Sequence, residues 1–274
     1  MTFNIQHLFI YPVKSLGGIE VQSALLDSRG LRDDRRMMLV DEQGMFISQR
    51  EDSRLALFRP SYERDDLIIH ATRGLGDEKI VIHRNSHSGE LLRVGIWSEM
   101  CDAMIVSKEA NDYFSRLLER NVRLVYMHED SKRLVNSKYN PGEVITAFTD
   151  GFPLLLIGSA SLSNLNSRLK ARNHPVGMTW DRFRPSVVIE TNEPFIEDSW
   201  KGFRMGESLF EVVKPCSRCV VTTIDQNSGL KAKEPLKTLA TFRTIDNEVM
   251  FGQNVVCNDI RGALNVGDEV FSVV

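Results

Sequence analysis

Cysteine is scarce: the 274 residues contain four, Cys101, Cys216, Cys219 and Cys257. That is too few to staple a chain of this length, and it suits a reducing compartment. A basic excess is also missing, with 34 lysines and arginines against 37 aspartates and glutamates, a net charge of −3. A chain that lives on nucleic acid carries a basic face, so nucleic acid is not expected as a partner. Long apolar runs are absent too. The longest, Phe152 to Ile157, falls far short of the ~18 residues that cross a bilayer, so no membrane span is expected. The N-terminus, MTFNIQHLFIYPVKSL, has no basic stretch ahead of an apolar run and does not read as a signal peptide. Together these features point to a cytoplasmic protein. What remains is an ordinary globular composition, 42% hydrophobic and 26% charged. At about 150 residues per domain, the length fits one large domain or two small ones.

No repeat and no Gly/Ser- or Pro-rich linker divides the chain. In the first third, HLFIYPV, MMLVD, MFISQ, DLIIHA and KIVIH read as short strands separated by SLGG, DSRG, DEQG and TRGLGD. Two helices stand out. Ser107 is placed to cap SKEANDYFSRLLER, whose Tyr113/Leu117 and Phe114/Leu118 pairs share a face. Ser159 is placed to cap SASLSNLNSRLKAR, with Leu162, Leu165 and Leu169 as its stripe. Strands return in NVRLVYM, FPLLLIG, PSVVIE, SLFEVV, CVVTTID, VMFGQNVV and VGDEVFSVV. The expected architecture is mainly β with flanking helices, an α+β arrangement of two β-rich domains over 1–120 and 121–274.

The sharpest local feature is Lys214-Pro215-Cys216-Ser217-Arg218-Cys219. Structural zinc needs four ligands, and neither a second CxxC nor a suitable histidine pair accompanies this one. A redox dithiol sits at a helix N-terminus, whereas VVTTID reads as a strand. A third reading is a single thiolate on Cys219, favoured by Arg218 and Lys214 and suited to a soft metal. Spacing alone does not separate this from two cysteines buried as small hydrophobes.

Four further fragments place cations and hydroxyls at strand starts: YPVKSLGG with Lys14 and Ser15, GLRDDRR with Arg32, Arg35 and Arg36, FTDGFP with Thr149 and Asp150, and DRFRPS with Arg182, Arg184 and Ser186. Arginine forks and loop hydroxyls suit an anionic ligand such as a phosphate. Any one fragment alone is a solvated charge cluster; four of them beside the cysteine pair point to a bound anion.

In this order YPVKS, GLRDDRR with DEQG, FTDGFPLLLI, RFRPSVVIE, EDSW and KPCSRCVVTTID resemble the MOSC family of molybdenum-cofactor proteins. The likeness is to the branch with an N-terminal MOSC-associated β-barrel domain, which includes the mitochondrial amidoxime-reducing components and their bacterial relatives. It implies a MOSC β-barrel domain preceded by a smaller barrel-like domain. It implies a molybdenum cofactor, the metal held by a pyranopterin dithiolene, with Cys219 as the metal ligand and catalytic thiolate. Lys14, Ser15, Arg35, Thr149, Arg184 and Ser186 fall on the family's cofactor contacts. Ser217 and Arg218 join them within the cysteine motif, and Asp150 lines the substrate side. Many relatives carry Trp at the position of Met37 and Asn at that of Ser186.

The implied activity is reduction of N-oxygenated small molecules. No four-cysteine cluster motif follows VGDEVFSVV. A separate ferredoxin- or flavoprotein-type donor is therefore expected to supply electrons. The anchor segment of the mitochondrial members is not expected here. Two other functions fit the family: a carrier of the cofactor or of persulfide sulfur, and a member without cofactor that acts through protein contacts.

Overall fold

The computed structural model describes residues 2–84, 87–139, 142–175 and 177–273. Seven strands form a closed barrel: β1 (Thr2–Ile10), β2 (Leu154–Gly158), β3 (Val187–Ile189), β4 (Gly202–Met205), β5 (Ser208–Ser217), β6 (Glu248–Asp259) and β7 (Glu269–Val273). Around the barrel the order is β2, β3, β1, β7, β4, β5, β6, and β6 closes it by pairing Val255 with Leu154. Only the β2–β3 pair of this ring is parallel. Closure removes the sheet edges that would otherwise invite aggregation. Inward side chains fill the interior, among them Ile5, Leu8, Phe203, Phe210 and Val255. The architecture is thus mainly β with few helices, as the sequence patterning predicts.

A second body of short sheets builds its own core around Leu39, Phe58, Tyr113 and Phe114. Its largest sheet runs Met37–Val40, Arg123–Met127, Glu99–Ile105, Leu91–Ile96. The domain spans 1–120 and 121–274 are our proposal for the organisation of the chain, and strands are exchanged across that division. β1 belongs to the barrel, Ser23–Asp27 pairs with Ala263–Asn265, and Arg123–Met127 pairs with Met37–Val40.

The helix α1 (Lys108–Leu118) begins where its cap predicts: Ser107 Oγ accepts the Ala110 N–H at 3.1 Å. In α2 (Ser159–Ala171) the leucine stripe is buried, but Ser159 is not the cap. Gly158 occupies that position, and the first helical N–H groups are met from another segment. Glu197 accepts from Gly158 N–H at 3.0 Å and Thr191 Oγ1 from Ala160 N–H at 3.1 Å. Ser159 Oγ instead accepts the Thr191 N–H.

Three further local expectations are corrected. MFISQ makes only isolated bridges, Val40 to Phe46 and Met45 to Gly95. VVTT after Cys219 is a 3₁₀ turn, Val220–Thr223, rather than a strand. Its threonine hydroxyls bond backward, Thr222 to Cys219 O at 3.0 Å and Thr223 to Val220 O at 2.7 Å. That local bonding competes successfully with the strand preference of β-branched residues. Finally, Leu91–Ile96 and Glu99–Ile105 form a hairpin that the sequence reading does not contain. Among the described residues no helix is long and apolar enough to cross a membrane.

Candidate functional site

The ten residues that the family resemblance assigns to the site line one cavity of about 540 Å³: Lys14, Ser15, Arg35, Thr149, Asp150, Arg184, Ser186, Ser217, Arg218 and Cys219. Arg32, Arg36 and Arg182, named with them as anion-binding candidates, do not line it; Arg36 pairs with Glu129 and Arg182 with Asp225 instead. It opens where the loops following β1 and β5 meet the segments preceding β2 and β3.

One wall is built on Tyr11, at the end of β1. The guanidinium groups of Arg35 and Arg184 each lie 4.2 Å from its ring centroid, a cation–π clamp of two arginines on one buried ring. Arg35 is paired with the buried Asp34, which also accepts the Tyr11 N–H at 2.7 Å. Arg35 Nη2 donates to Arg184 O at 3.2 Å, and Arg184 Nη1 donates to Leu16 O at 2.5 Å. Burial pulls the Arg184 guanidinium down to about 10, so it stays cationic at neutral pH. Ser186 Oγ is already engaged by the Leu155 N–H at 3.3 Å and lies 3.5 Å from Arg35 Nη1. Ser15, Arg35 and Arg184 all take left-handed backbone conformations, with φ of 70°, 48° and 55°. Non-glycine residues held there mark sites where the surrounding fold over-determines the backbone.

The second wall is the turn over 146–150. Buried Arg133 holds it, donating to Ala147 O at 3.0 Å and Thr149 O at 2.6 Å. Thr149 Oγ1 lies 2.7 Å from Thr146 Oγ1. From this turn Asp150 reaches the buried ammonium of Lys14 at 2.6 Å, while its own side chain is 68% exposed to the cavity. The enclosing protein opposes a charge on Asp150. The Lys14 ammonium, with Arg50 and Arg35 beyond it, outweighs that and holds the carboxyl well below the usual range.

A folded-state value depressed in this way stabilises the fold fully above the ordinary 3.8, and the contribution is lost as pH falls through the lower folded value. Asp150→Asn should therefore lower the Tm at neutral pH, where it strands the Lys14 ammonium. The gap to wild type should narrow as pH drops below 3.8. Thermal unfolding across that acid range reads it; a gap independent of pH would contradict the ion pair's role.

The third wall carries the cysteines. β5 ends at Ser217, paired with Met250 of β6, and the Arg218 N–H bonds to Val249 O at 2.7 Å. Arg218 folds back, donating to Phe183 O at 2.6 Å and to Cys216 Sγ at 3.0 Å. Its Nε is buried without a partner among the described residues. Cys219 receives Arg50 Nε–H at 3.3 Å on its Sγ. All four cysteines are free thiols. Among the described residues no group of three or more His, Cys, Asp or Glu is placed to hold a metal ion.

This wall fits a cofactor that brings most of its own metal ligands and carries a phosphate. Two thiols, Cys216 and Cys219, line the cavity as soft donors. Six cations, Lys14, Arg35, Arg50, Arg184, Lys214 and Arg218, face two carboxylates, Asp150 and Glu248. Hydroxyls of Ser15, Thr149 and Ser217 also line the cavity, and the Arg218 Nε–H has its donor capacity unused. Met37, one of the departures from the resemblance, lies outside the lining and serves through its backbone. Its carbonyl accepts the Lys14 N–H at 2.7 Å and its N–H donates to Pro12 O at 3.0 Å.

The sequence reading misses Arg50, Trp97, Phe46 and the supporting Arg133. Arg50 lies in SQRED, a lone cation beside two acids, and Trp97 in GIWSE, so neither stands in a basic or glycine-rich cluster. Lys214 enters that reading only as a neighbour of the cysteines; in the fold it lies 4.3 Å from the Tyr139 ring centroid.

Comparison with known proteins shows the family. The MOSC N-terminal beta barrel domain matches residues 2–121, and the MOSC domain matches residues 144–271. Mitochondrial amidoxime reducing component 2 of Macaca fascicularis is 30% identical over 98% of this chain and 83% of its own length. Mitochondrial amidoxime-reducing component 1 of Xenopus laevis is 30% identical over 98% of this chain and 82% of its own. The human component 2 is likewise 30% identical, over 98% and 83%.

Proposed function

Because this chain belongs to the MOSC family, carrying both its N-terminal β-barrel domain and its MOSC domain, we propose that it is a molybdenum-cofactor oxidoreductase that reduces N-hydroxylated and other N-oxygenated small molecules. The observation that carries this reading is the pair of free thiols, Cys216 and Cys219, in a cavity walled by cations, with Cys219 Sγ receiving the Arg50 Nε–H. The relatives named for amidoxime reduction supply the substrate class.

Bound there, a molybdenum–pyranopterin dithiolene would supply a two-electron centre able to abstract an oxygen atom from an N–O bond. Cys219 is the proposed metal ligand. Lys14, Ser15, Arg35, Thr149, Arg184, Ser186, Ser217 and Arg218 are the proposed contacts to the pterin and its phosphate. Their arrangement is pre-set: Tyr11 fixes two guanidinium groups, Arg218 is tied to Phe183 O, and Arg133 fixes the turn bearing Thr149. Ligand binding then orders few side chains, which favours affinity. Asp150, held ionised by Lys14, accepts hydrogen bonds and so orients N–H or O–H groups of a substrate rather than donating a proton.

Electrons come, in this reading, from a separate ferredoxin- or flavoprotein-type donor. A cytoplasmic location belongs to the same reading and rests on the four free thiols. The test is turnover: protein loaded with cofactor and given reduced methyl viologen should convert benzamidoxime to benzamidine. A metal-loaded sample that binds benzamidoxime but forms no product would overturn the reductase assignment in favour of a cofactor or sulfur carrier.

A further inference from the structure

Arg50 is set apart from the other cations of the cavity. Lys14 is paired with Asp150 and Arg35 with Asp34, Arg184 and Arg218 donate to backbone carbonyls, and Lys214 stands over the Tyr139 and Phe152 rings. Arg50 alone touches Cys219, through its Nε, and its two terminal amino groups have no partner among the described residues. The guanidinium is fixed nonetheless. It lies 4.4 Å from the Trp97 ring centroid, and Lys231 Nζ donates to the Arg50 carbonyl at 3.0 Å.

Trp97 is itself held unusually. It occupies the two-residue turn between Leu91–Ile96 and Glu99–Ile105 with φ 55°, a turn position that favours glycine. It packs edge-on against Phe46 at 4.7 Å, and both rings line the cavity. A bulky residue kept in the left-handed region at a cavity wall points from strain to function.

We propose that Arg50, carried on Trp97, forms an anion subsite beside the reacting end of the cavity and selects planar or aromatic N-oxygenated substrates that bear a carboxylate. The inference rests on the reading of Cys219 as the metal ligand. That reading puts Arg50 at the metal end and leaves the clamp of Arg35 and Arg184 on Tyr11 for the cofactor's phosphate. A free guanidinium fork matches a carboxylate in two parallel hydrogen bonds. The Trp97 and Phe46 rings offer the apolar wall against which the flat body of such a substrate would lie.

Binding can be read without turnover, on the oxidised, metal-loaded full-length protein with no donor present. The probes are benzamidoxime and its 3- and 4-carboxy derivatives, followed by titration calorimetry. Wild type should bind at least one carboxylated probe roughly tenfold more tightly than the neutral one, the scale of one charge-assisted hydrogen bond. Arg50→Ala should remove that preference by weakening the carboxylated probe. Arg50→Lys should restore only part of it, because an ammonium cannot present the fork. Trp97→Ala should fall between wild type and Arg50→Ala. Arg50 is exposed, so the variants are expected to fold, and an unchanged Tm checks this.

No preference in wild type, or an equal loss for neutral and charged probes in Arg50→Ala, would overturn the subsite. Adding reduced methyl viologen separates the two claims. Reduction of all probes without a carboxylate preference would sink the subsite and leave the reductase. A clear preference with no reduction of any probe would do the reverse.

Discussion

Replacing Cys219 with alanine should abolish reduction of benzamidoxime while leaving the fold intact. The side chain is only half-buried and its Sγ makes one hydrogen bond, from Arg50, so little stability depends on it. Cys216 lines the same cavity with its Sγ held by Arg218 at 3.0 Å, and the proposed ligand assignment makes it an accessory residue; Cys101 and Cys257 are buried in separate hydrophobic clusters. Burial pushes both of those thiols upward, Cys257 to about 11, so they remain protonated and poor metal ligands at neutral pH. Cys216→Ala should accordingly cost far less than Cys219→Ala. Steady-state turnover with equal metal loading compares them; a fully active Cys219→Ala protein would contradict the ligand assignment.

The largest loss of stability among the residues around the site is expected at Asp34, which lines no part of the cavity. Its carboxylate does two things at once in a buried position: it pairs with Arg35 and accepts the Tyr11 N–H at 2.7 Å. Asp34→Ala leaves a buried amide unsatisfied and a largely buried guanidinium without its counter-charge. Removing one partner of such a pair costs on the order of 3–5 kcal/mol, whereas an orphaned neutral donor alone costs about 1–3. Asp34→Asn keeps an acceptor for Tyr11 and should lose less. The Tyr11 clamp on Arg35 and Arg184 then loosens, so cofactor retention should fall together with stability. Denaturant midpoints for the two variants provide the check, and an Asp34→Ala midpoint equal to wild type would refute the account of this wall.

Much of the local structure is legible in the sequence because period and cap are local signals. Ser107 and the apolar faces of α1, the leucines of α2 and the run HLFI that ends β1 are read directly. Closure of the barrel is not, because β1 pairs with β3 and β7, strands that lie far away along the chain. The hairpin turning at Trp97 is hidden because its turn carries no glycine or asparagine, and the fold supplies the compensation through Phe46 and Arg50. VVTT misleads because two threonine hydroxyls stabilise a turn that side-chain branching disfavours. At the site, ordered motifs bring ten residues to one cavity. Arg50, Trp97 and Arg133 escape because they act through single contacts made in three dimensions, and no spacing rule encodes those.

The central claim is that Cys219 holds molybdenum in this cavity. Elemental analysis tests it most directly, on wild type and Cys219→Ala made in parallel in a host that assembles the cofactor. The account predicts near-stoichiometric molybdenum per chain in wild type and its loss in the variant. Molybdenum absent from both, or equal in both, would contradict it.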